Sequence, residues 1–145
     1  MNRRTAIGSA MVALTCGLAW VTASTVYAQV APGAVEVAGY TGPHAAAHSG
    51  DLTTLNALIA ARANLNARDA HGRTPLHVAT FARQRDVIRA LAKAGAALDV
   101  LENDRYDAVT IAAVADDAET LRVLLALGAS AKQVTSRYDG TALIA

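Results

Sequence analysis

The chain has one cysteine, Cys16, and it lies inside the first 28 of 145 residues. If that segment is removed, no thiol remains. Disulfides, thiol catalysis and thiolate metal sites are then excluded, and the body suits an oxidising compartment. An excess of charge of either sign is also missing, with 13 Lys and Arg against 12 Asp and Glu. Loss of Arg3 and Arg4 with the leading segment would leave 11 basic against 12 acidic residues, a net charge of −1. A nearly neutral body offers no electrostatic footprint for nucleic acid. It offers no polybasic patch for anionic lipid either. No glycine-rich loop of phosphate-cradling spacing occurs, because Gly39, Gly42 and Gly50 stand at expected turns and boundaries. A Gly-x-Ser-x-Gly elbow is absent too. No strand-like alternation of useful length appears.

The segment 1–28 has the build of a secretory signal. Arg3 and Arg4 supply a positive start, and a charge-free apolar run follows from about Ala6 to Val21. Val26-Tyr27-Ala28 places a small residue before the expected cleavage point, so the mature chain is expected to start at Gln29. Retention as a membrane anchor is the alternative, but a run of roughly 15 residues is short for a span. Ala13-Leu14-Thr15 before Cys16 fits lipidation poorly. Arg3-Arg4 without the rest of a twin-arginine pattern favours the ordinary secretory route. The expected location is the periplasm or the extracellular space, with no membrane attachment after cleavage. Residues 29–37, with Pro32 and Gly33, are expected to form a linker.

From there the chain repeats at an offset of 33 residues. Ala46, Ala79 and Ala112 share one column; Leu55, Ile88 and Leu121 share a second; Leu58, Leu91 and Leu124 share a third. Repeats are expected over about 36–68, 69–101 and 102–134, with a partial copy at 135–145, in a repeat domain spanning 38–145. Asp69 to Ala79 contains an unbroken Thr-Pro-Leu-His-x-Ala. Thr74 can cap a helix, Pro75 fits its first position, and Gly72 permits the tight turn before it. Leu76 and His77 complete the motif, Ala79 allows close helix approach, and Gly95 ends the following helix. This resembles the ankyrin repeat family, whose period is the same. The other copies depart from it. Gly42-Pro43-His44 has its proline slipped by one place, and Asp107-Ala108-Val109-Thr110 replaces Thr-Pro-Leu-His. Arg137 to Ala145 begins a fourth copy that breaks off inside a first helix, which would leave Leu143 and Ile144 without a partner. A truncated array is the expectation from that end, since terminal repeats need a polar outer face.

The resemblance implies an all-α solenoid of stacked helix pairs with finger-like turns. Helices are expected at His44–Ser49 with Thr53–Ala60, Leu76–Ala82 with Asp86–Lys93, and Ala108–Ala115 with Ala118–Leu125. Turns are expected around Leu65–Arg73, Leu98–Arg105 and Lys132–Gly140. The resemblance further implies a non-catalytic module, here of a bacterial envelope, that binds a partner protein through its fingers and first helices, as a monomer and without cofactor. It gives His44 and His77 a structural role, bonding the backbone of neighbouring turns. His44, His48 and Asp51 could otherwise suggest a metal-dependent hydrolase, since the two histidines have ligand spacing. Their repeat positions argue against it, and no metal site is expected. Asp116 and Asp117 are expected to be solvated turn residues. For partner binding, Tyr40, Arg73 and Tyr106 form one row, with Arg73 able to stack between the rings. His71, Asn103 and Asp104 stand at finger tips, and His48 and Phe81 share a groove-side column with Val114. The remaining alternative is a repeat fragment with no function of its own.

Overall fold

A computed structural model describes residues 29–135 and the pair 140–141. The expected signal segment, and most of the partial fourth copy with Leu143 and Ile144, lie outside the described residues. The described part is a helical solenoid. Helix α1 covers Ala34–Gly39, α2 Gly42–Ser49, α3 Leu52–Ala60, α4 Pro75–Phe81, α5 Arg85–Lys93, α6 Ala108–Val114 and α7 Ala118–Ala126. Two-residue strands, β1 at Val134–Thr135 and β2 at Gly140–Thr141, pair antiparallel one period beyond the Glu102–Tyr106 turn. Six of the helices fall within two residues of the expected bounds.

Helices α2, α4 and α6 stack in one layer, and α3, α5 and α7 stack in a second layer behind it. Each α2–α3, α4–α5 and α6–α7 pair closes one repeat. The alanine column explains the close stacking. Ala46, Ala79 and Ala112 are all buried where the layers meet, and a larger side chain there would hold adjacent helices apart. Leu55, Leu76, Val78, Val87, Ile88, Leu91, Val109 and Leu124 complete one continuous core. The middle repeat buries both of its second-helix columns, at Ile88 and Leu91. In the outer repeats Leu58 and Leu121 are only partly covered, because each has fewer neighbouring helices.

Helix starts follow from their caps. Asp51 and Asp117 accept from Thr54 N–H and Thr120 N–H, at 3.0 and 3.1 Å. Asp107 does the same for Thr110 at 2.7 Å. Such caps satisfy backbone donors that the first turn leaves open. Asp117 is a correction to the expected solvated turn. It is buried, holds the Thr120 hydroxyl at 2.6 Å and pairs with Arg85 at 3.1 Å. Its neighbour Asp116 is exposed, in a left-handed conformation.

Residues 29–37 are also corrected. The expected linker contains most of α1, although α1 buries none of its residues. Second-helix ends are uniform: Ala63, Ala96 and Ala129 N–H donate to Leu58, Leu91 and Leu124 carbonyls. The residue before each of these alanines is left-handed, at φ 57 for Arg62, 88 for Gly95 and 95 for Gly128. Only glycine takes that conformation without a Cβ penalty. Arg62→Gly is therefore expected to stabilise the fold by about 0.5–1 kcal/mol. A higher urea midpoint with unchanged slope would show it; an unchanged or lower midpoint would refute the strain.

Candidate functional site

The second finger is built on one carboxylate. Asp69 Oδ1 accepts from His71 N–H at 2.9 Å and Arg73 N–H at 2.8 Å. Its Oδ2 accepts from Arg73 Nε at 2.8 Å and the Tyr40 hydroxyl at 2.9 Å. Asp69 N–H donates to the Arg73 carbonyl, and Gly72 N–H to the Asp69 carbonyl, closing the turn. Burial alone would raise the Asp69 carboxyl, but the Arg73 N–H, the guanidinium and the Tyr40 hydroxyl outweigh it and hold it below its ordinary range. Burial first, then its bond to Asp69, pushes the Tyr40 phenol upward. The third finger repeats the plan one period later. Glu102 N–H donates to the Tyr106 carbonyl, and Tyr106 N–H donates to Glu102 Oε1 at 3.1 Å.

Gly72 shows why the fingers sit so close. It is left-handed at φ 75, and a Cβ there would stand 3.1 Å from Asn103 N and collide with the Asn103 side-chain amide. Asn103 N–H donates to the His71 carbonyl at 2.9 Å, and Asn103 Nδ2 to the Ala70 carbonyl at 3.2 Å.

Both motif histidines join one repeat to the next. His44 Nε2 lies 3.0 Å from the Arg73 carbonyl, and His77 Nε2 lies 3.3 Å from the Tyr106 carbonyl. Thr74 N–H can only donate, and it reaches His77 Nδ1 at 3.1 Å. Nδ1 is therefore the acceptor, and Nε2 carries the proton given to Tyr106. A second proton on Nδ1 would break the Thr74 contact. Burial, the larger cause, works in the same direction and pushes the imidazole down to about 4. His77 is thus neutral at pH 7. With His44 Nε2 engaged at Arg73 and Asp51 capping α3, two of the three residues of the hydrolase alternative already have structural tasks. Among the described residues, no group of three or more His, Cys, Asp or Glu could hold a metal ion.

The expected binding residues divide into two sets. Arg73 is 3% exposed and does not stack between tyrosines. Its guanidinium pairs with Asp69 and with Glu36 at 3.1 Å, because a buried cation needs carboxylates more than ring faces. Tyr40 is half-buried, bonded to Asp69 and packed on His44 with ring centroids 5.5 Å apart. Asn103 ties two fingers together. Tyr40 and Arg73 therefore hold the array instead of forming a row with Tyr106, and Asn103 serves as a tie between fingers. His48 is half-buried, and its carbonyl accepts from Gln84 Nε2 at 3.4 Å.

Phe81, Tyr106, His71 and Asp104 do come together. With Arg73 and Glu102 they line a cleft of about 40 Å³, closed on its other side by Gln29, Val30 and Glu36. Phe81 and Tyr106 are half-buried, so each offers an aromatic surface with one wet side. Sequence reasoning missed Glu36, Asp69 and Glu102. The signal was present, since the three acids stand 33 residues apart in one column.

A family model described as ankyrin repeats (3 copies) matches residues 22–104, more than half of the chain. The chain belongs to the ankyrin repeat family. The match begins inside the expected signal segment and ends in the third finger; the 33-residue register continues through α6 and α7 beyond it. A search of curated proteins found no match. Ankyrin repeats are generally protein–protein interaction modules, and the family is typically non-catalytic.

His77 gives this ankyrin array a pH dependence of calculable sign. Its folded value, about 4, lies below the ordinary 6.5, so the unfolded chain binds the extra proton first. Stability from His77 is complete above pH 6.5 and is lost as pH falls toward 4, by about 3 kcal/mol in all. Asp107 works in the opposite direction, because burial raises its carboxyl. The informative quantity is therefore the difference between proteins. In urea titrations at pH 7 and pH 4.5, His77→Asn should be less stable than wild type at pH 7 yet lose less on acidification. Equal losses in both would show that His77 is not the titrating group.

Proposed function

We propose that this protein is an exported ankyrin module of the bacterial envelope that binds a partner protein through its fingers and first helices. The observation that carries the reading is the gathering of Phe81, Tyr106, His71 and Asp104 around one cleft. Two aromatic rings beside charged groups form the kind of centre from which interfaces draw most of their energy. The scaffold beneath is held for a stated reason: the second and third fingers are each closed by their own carboxylate, Asn103 ties them together, and His44 and His77 bond the next repeat's backbone. A rigid surface loses little ordering entropy on binding. Among the described residues no helix is long and apolar enough to cross a membrane.

The test uses crosslinking capture from the envelope fraction of the source organism. Phe81→Ala with Tyr106→Ala is the informative variant, because it spares Asp69, Arg73 and the Tyr106 backbone bonds that hold the fingers. A single protein captured by the wild type and lost with the variant, at matched helical circular dichroism, is the expected result. Equal capture by both would move the binding surface elsewhere. Export has its own test. Mass spectrometry of the periplasmic fraction should find a chain starting at Gln29; a chain retaining Met1 in the membrane fraction would establish the anchor instead.

A further inference from the structure

We infer that the second finger carries a carboxylate-reading peptide site, and that residues 29–36 of the same chain fill it in cis. The inference rests on the finger surface being the binding surface proposed above. Glu36 occupies the column of Asp69 and Glu102, but it does a different job. Asp69 accepts from the N–H four residues on, at Arg73, and Glu102 from that of Tyr106. The corresponding donor for Glu36 is Tyr40 N–H, which goes to the Val37 carbonyl instead. The Glu36 carboxylate is released from turn-building. It accepts from Gly33 N–H at 2.7 Å, pairs with Arg73 Nη2 at 3.1 Å, and contacts His71 Nε2. Six residues earlier, the Val30 carbonyl accepts from Arg73 Nη1 at 3.4 Å. One backbone carbonyl and one carboxylate thus meet the Arg73 and His71 donors of the finger. That is how a peptide with an acidic side chain would be read.

The arm's bonds to the finger are polar, and none of its residues is buried. Helix α1 buries no residue, and Val30 and Val35 are 71% and 88% exposed. The fit is also incomplete. The Gln29 amide Nε2 is buried and finds no hydrogen-bond partner among the described residues. Two clefts border the arm: the one with Phe81 and Tyr106, and a second of about 270 Å³ walled by Val35, Tyr40, Ala70 and His71. An arm without apolar anchoring, over a site with aromatic surface to spare, is a resident ligand that a better-matched acidic peptide can displace. The partner that fits is a segment carrying a carboxylate for Arg73 and His71 and an apolar side chain for Phe81 and Tyr106.

The test keeps the full chain and uses a fluorescent synthetic peptide with the sequence of Gln29–Tyr40 as probe. In wild type the resident arm competes with it. Glu36→Lys sets a positive charge against Arg73 and frees the site, while the core is untouched because α1 packs into none of it. The probe is expected to bind Glu36→Lys at least about tenfold tighter than wild type, as relief of ninety per cent occupancy requires. A probe with lysine in place of its own glutamate should not bind, and His71→Ala in the Glu36→Lys background should weaken binding several-fold. Equal probe affinity for wild type and Glu36→Lys would overturn the cis occupancy. Binding that ignores the probe's carboxylate, or no binding at all, would overturn the site. Because the probe is the chain's own sequence, the result does not depend on capturing an external partner. A partner indifferent to Phe81 and Tyr106 would sink the proposed surface and leave the probe result standing.

Discussion

Four donors converge on the Asp69 carboxylate, and the order of the array depends on them. Two are backbone groups of its own turn, one is the Arg73 guanidinium and one is the Tyr40 hydroxyl from the repeat before. A charged acceptor makes stronger hydrogen bonds than a neutral one, and burial removes competing water. The turn fixed in this way presents the Arg73 carbonyl to His44 and the His71 carbonyl to Asn103. The first repeat and the third both read the second, through carbonyls that one carboxylate holds in place. Loss of that carboxylate would leave Arg73 as a buried cation with Glu36 as its remaining carboxylate partner among the described residues, a far larger penalty than the loss of one surface ion pair.

Much of this was legible in the sequence. The 33-residue offset, proline at the first turn and glycine after the second helix set the helix pairs within a residue or two. These signals are local and redundant: a cap, a breaker and an apolar period all point to one boundary. The two motif histidines were legible for a similar reason, since a repeated column implies a repeated bond. What was hidden depends on long polar side chains. The alignment put Arg73 beside Tyr40 and Tyr106, but a column does not say which way a long side chain turns. Asp69, four residues before Arg73, was the deciding neighbour. Asp117 was hidden by its pairing with Asp116. Two adjacent acids suggest a solvated turn, whereas one caps α7 from inside and only the other faces water.

Helix α1 shows a different limit. Pro32 and Gly33 pointed to a linker, and nothing in Ala34–Gly39 shows an apolar face, because α1 buries no residue. Its existence is a matter of local preference rather than packing. The second and third fingers have polar tips, Ala70-His71-Gly72 and Asn103-Asp104-Arg105, with Gly72 and Arg105 left-handed. The first copy has Val37-Ala38-Gly39 in those places. Without polar side chains to hold a tight turn, the segment closes ordinary helical hydrogen bonds instead.

That substitution of helix for finger changes what the acidic column does. In the second and third copies the carboxylate at this place accepts from the backbone of its own turn, at Arg73 N–H for Asp69 and at Tyr106 N–H for Glu102. Where the turn does not form, the carboxylate keeps its charge and its free acceptors, and it turns toward the nearest donors, Arg73 and His71. The Arg73 guanidinium spans both tasks, with one nitrogen serving Asp69 inside the finger and the other two serving the arm outside it. The structural ion pair and the arm contact are therefore not separable by removing Arg73, but they are separable by changing Glu36. The same repeat rule that builds the scaffold thus yields, at the first copy, where its turn fails, a group able to act as a ligand.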